Sequence, residues 1–134
     1  MLITEIHVYD ALEKTTTTLA VEQLADTRFR ALENDMFDAR LTFGMEFETT
    51  INESGAHEVL RITKASEYTT WRFCLSPRYK ESEYRLLGDE VMRQGGFWQV
   101  DLGIFAIVNL PPHSPFDLPE IFRLFGLEPP ELVA

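Results

Sequence analysis

The sequence predicts an α+β fold, with a small curled β-sheet or barrel followed by an incomplete ferredoxin-like βαββα unit. In the first half, short stretches alternate apolar and polar residues, and turn-forming residues separate them. From Thr69 onward the pattern reads strand, helix, strand, strand, helix, which is five of the six elements of a ferredoxin-like unit. We expect a single compact domain over 1–134, with a β-rich subregion at 1–65 and a ferredoxin-like subregion at 66–134.

Five stretches of the first half are predicted to be strands: three from their two-residue period, 15–21 from its β-branched threonines and apolar continuation, and 59–63 as the hairpin partner of the fourth. They cover 5–9, 15–21, 28–32, 45–51 and 59–63. In the fourth stretch, Met45 and Phe47 share one face, and Glu46 and Glu48 share the other. The loop at 52–55, Asn-Glu-Ser-Gly, has the length and composition of a hairpin turn.

The second half begins with a strand in which alternate residues change face. Trp71 is predicted in the core and Arg72 on the opposite, more accessible face. A helix is predicted from the Ser76-Pro77 start signal, with Tyr84, Leu87 and Val91 as its buried stripe. The pair Gly95-Gly96 ends this helix.

Two further strands follow, and the second, from Ile104 to Val108, is apolar enough to be buried on both faces. A short helix is then predicted, with Asp117 as its cap and Gly126 as its stop. Its buried stripe would be Ile121, Leu124 and Phe125, and a last short strand is possible at 131–133.

Three sequence patterns resemble a bacterial domain-of-unknown-function family with a β-rich N-terminal half and a ferredoxin-like C-terminal half. They are Leu24…Asn34-Asp35-Met36-Phe37…Gly44-Met45, Ser66-Glu67-Tyr68-Thr69-Thr70-Trp71-Arg72 and Val108-Asn109-Leu110-Pro111-Pro112. Met36, Met45 and Glu67 stand where the family pattern has proline, aspartate and glycine. The resemblance implies the fold and a bacterial origin, and it implies no activity.

The composition is that of an acidic globular protein. Asp and Glu number 22 against 12 Lys and Arg, giving a formal net charge of −10. Such a charge disfavours nucleic acid and anionic membranes and favours basic partners. The chain begins without the basic and apolar regions of a signal peptide, and it has no apolar run long enough to span a membrane. We therefore expect a cytoplasmic protein.

The residue types that carry catalysis and metal binding are scattered along the chain. His7, His57 and His113 lack ligand spacing, and the lone Cys74 is expected to be a small buried apolar residue. The acidic group Glu33, Asp35 and Asp38 is interpreted as solvated charge at a turn, since it lacks the regular spacing of a calcium loop. We expect no catalytic residue, no metal, no cofactor and no enzymatic activity.

The sequence leaves two functions open. The first is a non-catalytic protein-interaction module, such as an immunity-type or antagonist protein that covers a basic partner through the acidic residues Glu46 and Glu48. The alternative is a regulatory domain that binds a small ligand in a pocket between the two subregions, with Thr70 and Arg72 among the lining residues.

Overall fold

The computed structural model describes residues 2–36, 38, 40–75, 80–114 and 118–124. The chain divides into two compact units, Met1–Glu67 and Tyr68–Ala134, each with its own sheet and hydrophobic core. The first unit contains β1 (Leu2–Asp10), β2 (Thr15–Ala25), β3 (Arg28–Ala31), β4 (Glu46–Ile51) and β5 (His57–Lys64). The second contains β6 (Thr69–Cys74), α1 (Glu81–Arg93), β7 (Phe97–Asp101), β8 (Phe105–Leu110) and α2 (Leu118–Leu124). The predicted α+β class is confirmed.

In the first unit, the five strands close into a barrel in the order β1-β2-β3-β4-β5. Consecutive strands are antiparallel, and β1 meets β5 in parallel at the register pair Val8–His57. The alternation seen in the sequence sends one face of each strand inward, where Phe29 and Phe47 pack with ring centroids 5.9 Å apart. The buried core consists of Ile6, Val8, Leu19, Val21, Phe29, Ala31, Leu41, Met45 and Phe47.

In the second unit, a three-stranded sheet has the order β6-β8-β7, and both strand pairs are antiparallel. Both helices contribute to a core on one face of this sheet, with Leu87 of α1 and Phe122 of α2 packing among residues of β6 and β8. On the other face, Ile107 and Asn109 are also fully buried. The central strand β8 is therefore buried on both sides, as predicted. None of the described helices has the length and apolarity needed to cross a membrane.

The first helix has the predicted stripe and end but a different start. Tyr84, Leu87 and Val91 are buried, and Gly95 takes the left-handed conformation (φ 82°) that ends α1. Lys80, however, has an extended backbone (ψ 154°), and its N–H donates to Glu83 Oε1 at 2.9 Å. The helix therefore begins at Glu81. The predicted start signal Ser76-Pro77 lies outside the described residues.

The second helix buries Phe122, whose ring meets Phe73 edge-on at 5.5 Å. Sequence periodicity placed the buried stripe on neighbouring positions and missed this residue. The side chains of Ile121 and Leu124, and all of Asp117, Phe125 and Gly126, lie outside the described part of the chain, as does the strand predicted at 131–133.

The strand β6 corrects one core prediction. Trp71 is half-buried against the edge of the core, while Phe73, two residues on, is 3% exposed and fully inside. Arg72 lies on the opposite face, as predicted, and is also half-buried. The reason for the partial burial of Trp71 is that β6 is the outer strand of its sheet in the described residues, where a large ring is covered from fewer sides.

Candidate functional site

Glu46, one of the predicted binding residues, lies in a row of alternating charges across the outside of the barrel. The row runs Glu22, Arg30, Glu46, Lys64 over strands β2 to β5, because these residues are register partners. Arg30 Nη1 bonds Glu22, and Arg30 Nη2 lies 3.4 Å from Glu46 Oε2. Lys64 Nζ lies 4.0 Å from the same oxygen. The Glu46 side chain is only 16% exposed.

Glu48 lies in a second such row, between Arg28 of β3 and Arg61 of β5. Arg61 Nη2 donates to Glu48 Oε2 at 3.2 Å, and the Glu48 side chain is 26% exposed. Together the two rows contain three carboxylates and four cations. Directly opposed opposite charges stabilise neighbouring strands, and here they also cancel the field of the predicted acidic stripe.

The other two predicted binding residues, Thr70 and Arg72, lie on the face of the second sheet that the helices do not cover. Thr70 is opposite Asn109 in the register, and its Oγ1 accepts a 2.9 Å hydrogen bond from Asn109 Nδ2. Arg72 is opposite Ile107. Asn109 and Ile107 are buried, so Thr70 serves to satisfy a buried amide of the central strand.

An open cavity of about 460 Å3 lies on the barrel between two hairpins. Its lining residues, which we call the hairpin pocket, are Tyr9, Thr16, Asn52, Glu53, Ser54 and Ala56. Tyr9 and Thr16 are register partners on β1 and β2, and the others form the turn between β4 and β5. The turn was predicted from the sequence. Its position beside Tyr9 was not, because that contact exists only once β5 closes on β1.

The turn that carries Glu53 is held by side-chain to backbone hydrogen bonds. Asn52 Oδ1 accepts from Ser54 N and from Ala56 N, both at 3.0 Å, and Gly55 adopts φ 83°. These bonds use the Asn52 oxygen within the turn. Glu53 is exposed at the tip, where its carboxylate can receive a cation.

The excess negative charge belongs mainly to the barrel unit. Residues 1–67 carry 13 acidic and 6 basic residues, a net charge of −7, while 68–134 carry 9 and 6, a net charge of −3. Since the strand rows on the barrel contain more cations than carboxylates, the acidity of this unit comes from its turns and ends. Asp10, Glu13 and Glu53 are at or next to the two hairpin turns.

The acidic group between β3 and β4 differs from the predicted solvated turn. Asp35 and Asp38 are 4% and 7% exposed. Asp35 accepts from Thr17 Oγ1 at 2.6 Å and from the Asp38 backbone N–H at 2.9 Å. Asp38 binds the Arg40 guanidinium through Nε at 3.0 Å and Nη2 at 2.8 Å, and this bond is the main cause that raises the Arg40 pKa. Both oxygens of Asp35 and both oxygens of Asp38 accept hydrogen bonds within the protein, so these two carboxylates hold the loop.

Residues of the first two resembling patterns meet in this same connection. Asn34, 2% exposed, accepts a hydrogen bond from the Phe43 N–H through Oδ1 at 2.9 Å. Ser66 Oγ donates to the Phe43 carbonyl at 2.6 Å, and Gly44 takes φ 88°. These two bonds hold the connection at Phe43 from both sides.

Cys74 is exposed, in contrast to the expected burial. It is the last residue of the outer strand β6, where the sheet ends. His57 is at the edge of the barrel core, edge-on to Phe29 at 5.2 Å, and its Nδ1 lies 2.7 Å from Thr49 Oγ1. Burial lowers the pKa of His57. Among the described residues, no three His, Cys, Asp or Glu side chains are grouped as metal ligands.

Comparison with known proteins provides a fold and no activity. No protein-family model and no curated protein matches the sequence. Among solved structures, the chain is similar to a hypothetical protein from Neisseria gonorrhoeae, with a TM-score of 0.62 and 17% sequence identity. The similarity covers 92% of this chain and 84% of that chain. At this level of identity, the shared property is the fold.

Proposed function

We propose that this chain is a non-catalytic protein-interaction module, of the immunity or antagonist type, whose hairpin pocket receives a basic side chain of a partner protein. The observation that carries this proposal is the position of Glu53 and Tyr9 in one open pocket of the more acidic unit. A carboxylate beside an aromatic ring suits a Lys or Arg side chain through ion pairing and cation–π attraction.

The site is placed at the hairpin pocket rather than on Glu46 and Glu48 because of charge balance. Both of those carboxylates already contact cations of neighbouring strands. A partner would have to displace Arg30 or Arg61 to reach them. Among the described residues, Glu53 forms no ion pair with a Lys or Arg side chain, so a partner cation meets an uncompensated charge there.

The expected affinity from one such side chain is small. An exposed cation–π contact contributes about 0.5–1 kcal/mol, and an exposed ion pair contributes about 0.2–1 kcal/mol. A specific partner must therefore add contacts around the pocket. The main effect of the surrounding charge is to accelerate encounter, so association should be salt-sensitive.

The finer fold assignment is part of the same proposal. The sheet has the order β6-β8-β7, and α1 connects its two outer strands, β6 and β7, along the chain. This arrangement supports a ferredoxin-like unit without its last strand. The bonds that join Asn34 and Ser66 to Phe43 support membership of the resembling bacterial family, because they use residues of its pattern. We also propose a cytoplasmic location for this protein.

The test uses a defined probe. A lysine- and arginine-rich peptide is titrated into the isotopically labelled protein, and amide shifts are followed by NMR at low and high salt. We expect shifts centred on Tyr9 and the 52–56 turn that weaken with salt. Glu53→Lys should abolish them, and Glu48→Lys, which changes the net charge equally, should retain them. Equal loss in both variants would refute the pocket and leave only non-specific attraction.

A third arm separates the small-ligand alternative. The sequence placed that alternative between the two subregions; here a small ligand is tested at the hairpin pocket instead, because its volume is about 460 Å3. Free arginine amide is titrated under the same conditions. Binding as tight as that of the peptide would favour a ligand-binding domain, whereas a much weaker response would favour a protein partner.

A further inference from the structure

The barrel is closed by its shortest strand pairing, between β1 and β5, which we call the seam. In the part of the chain that the structure describes, these strands share the single register pair Val8–His57, whereas every other pair of neighbouring strands in the barrel shares at least three. Parts of a fold with few such contacts open at a lower free energy than the rest. The seam is therefore where the barrel opens most readily.

The hairpin pocket extends across the seam. Tyr9 and Thr16 are register partners in the β1–β2 hairpin, and the 52–56 turn belongs to the β4–β5 hairpin. The turn is closed by its own bonds, among them the Asn52 N–H, which donates to the Ala56 carbonyl at 2.8 Å. Because each half of the pocket is held within its own hairpin, opening the seam separates Tyr9 from the turn and removes the pocket.

His57 places a titratable group on the inner side of the seam. Its ring lies 5.2 Å from that of Phe29, and its Nδ1 lies 2.7 Å from Thr49 Oγ1. Phe29 and Thr49 are each 2% exposed. Burial lowers the pKa of His57, since a charged ring here loses contact with water. An open seam returns the ring to water, so a protonated His57 favours the open form.

Charged and titratable groups occur on each element that surrounds His57. They are His7, Tyr9 and Asp10 of β1, Arg28 and Arg30 of β3, Glu48 of β4, Glu53 of the turn and Glu58 of β5. Asp10 Oδ1 accepts from the backbone N–H groups of Leu12 and Glu13, and Glu48 bonds Arg61. Among the described residues, none of these charges contributes to the change in the His57 pKa, so no carboxylate offsets the cost of charging this ring.

We propose that the seam is a pH-sensitive switch of the hairpin pocket, in which protonation of His57 favours a local opening that separates β1 from β5. The opening is a property of the barrel alone. Its consequence for a partner rests on the function proposed above, because a cation held between Tyr9 and Glu53 needs both sides of the pocket. A bound partner therefore stabilises the closed seam, and an open seam has no site for it.

The size of the effect follows from proton linkage. In the open form His57 regains the ordinary pKa of 6.5, and in the closed form its pKa is lower. The stability of the closed form is therefore complete well above pH 6.5 and falls as the pH drops below it. Between about pH 7.5 and about pH 5.5, one such histidine raises the population of the open form by at most about tenfold.

The test is NMR relaxation dispersion on the isotopically labelled full chain at these two pH values. We expect a minor form with shift differences centred on residues 8–10 and 52–59, and a population that rises by about three- to tenfold at the lower pH. The His57 ring, followed in the same samples, should titrate below pH 6.5. His57→Gln should remove the pH dependence, and His7→Gln, at an exposed histidine of β1, should retain it.

A lysine- and arginine-rich peptide separates the switch from the proposed function. At ten times its dissociation constant, the peptide should reduce the open population by about tenfold. A peptide that binds at neither pH, while the seam still responds to pH, would refute the proposed function and support the switch. The wild-type measurements test the switch without the variants. It would be overturned by a His57 ring that titrates at or above pH 6.5, by exchange spread evenly over the barrel, or by the absence of a minor form at the lower pH. Retained pH dependence in His57→Gln would overturn it as well.

Discussion

Gly88 lies in the middle of α1, where an alanine would ordinarily stabilise the protein, and we expect Gly88→Ala to destabilise it instead. A Cβ at this position would lie 2.6 Å from Cδ1, 2.7 Å from Nε1 and 2.9 Å from Cγ of Trp98. Carbon atoms in contact are normally about 3.5–4.0 Å apart. The indole ring would have to move by about 1 Å, and the atoms involved are near its attachment to the backbone.

Two opposing contributions decide the sign. Alanine is favoured over glycine in a helix interior by about 1 kcal/mol, while overpacking a core contact costs about 1–3 kcal/mol. Trp98 has little room to withdraw, since it packs on the core with its ring 6.2 Å from that of Phe73. We expect a net loss of about 1 kcal/mol in the free energy of unfolding.

The assay is a double-mutant cycle by urea unfolding. In a Trp98→Ala background the obstructing ring is gone, so Gly88→Ala should stabilise by up to about 1 kcal/mol, and the coupling between the sites should be about 2 kcal/mol. Trp71 remains as a fluorescent reporter in the same unit, and Trp98→Val serves as a second background. Stabilisation by Gly88→Ala in the wild-type protein, or no change of sign between backgrounds, would refute the contact.

Three other outcomes follow from burial. Phe47 is 0% exposed, so Phe47→Ala should lower the free energy of unfolding, measured in urea, by about 3–5 kcal/mol. Leu12 is 89% exposed, so Leu12→Ala should change it by no more than about 0.5 kcal/mol. Similar losses in the two variants would contradict the placement of Phe47 inside the barrel. Because the folded pKa of His57 lies below the ordinary 6.5, the unfolded chain binds the proton more readily, and the free energy of unfolding should fall as pH drops below 6.5. His57→Gln should reduce this fall and His7→Gln should not, so equal pH profiles would exclude His57 as the cause. Cys74 should react with a thiol reagent in the native protein at nearly the rate of the unfolded chain, and strong protection would contradict its exposure.

The sequence predicted the strands of the barrel well because their alternation is a direct consequence of one-sided burial. Phe29 between Arg28 and Arg30 is the clearest case, with the ring 2% exposed inside the barrel and both arginines outside. The start of α1 did not follow from the local signal: α1 begins at Glu81, directly after the extended backbone of Lys80, and the predicted start at Ser76-Pro77 lies outside the described residues. Local propensity is weak evidence when tertiary packing decides where a helix begins.

The candidate site shows a different limit. The positions of Glu46 and Glu48 on one strand face followed from the period of two, but their partners come from two other strands, Arg30 from β3 and Arg61 and Lys64 from β5. Register across strands is a tertiary property. It places a cation beside each of these glutamates, so the expected acidic stripe is a set of rows in which the charges balance. The burial of Asp35 was missed for the same reason, since its partner Thr17 lies on β2. The partner of Asp38 is the nearby Arg40, and the sequence alone did not indicate that this local pair folds inward.

The connection between β3 and β4 has a consequence for engineering the chain. Although it contains no regular strand, its described residues are fixed by Asn34, Asp35 and Asp38, whose side chains are buried and bonded to backbone or to other side chains. Residues inserted here would break these buried hydrogen bonds and leave their donors and acceptors without partners. At the turn 11–14, Asp10 Oδ1 accepts from the Leu12 and Glu13 N–H groups, but these bonds are exposed and Leu12 is almost fully accessible, so this turn is the better place in the barrel unit for a tag, a label or a grafted peptide.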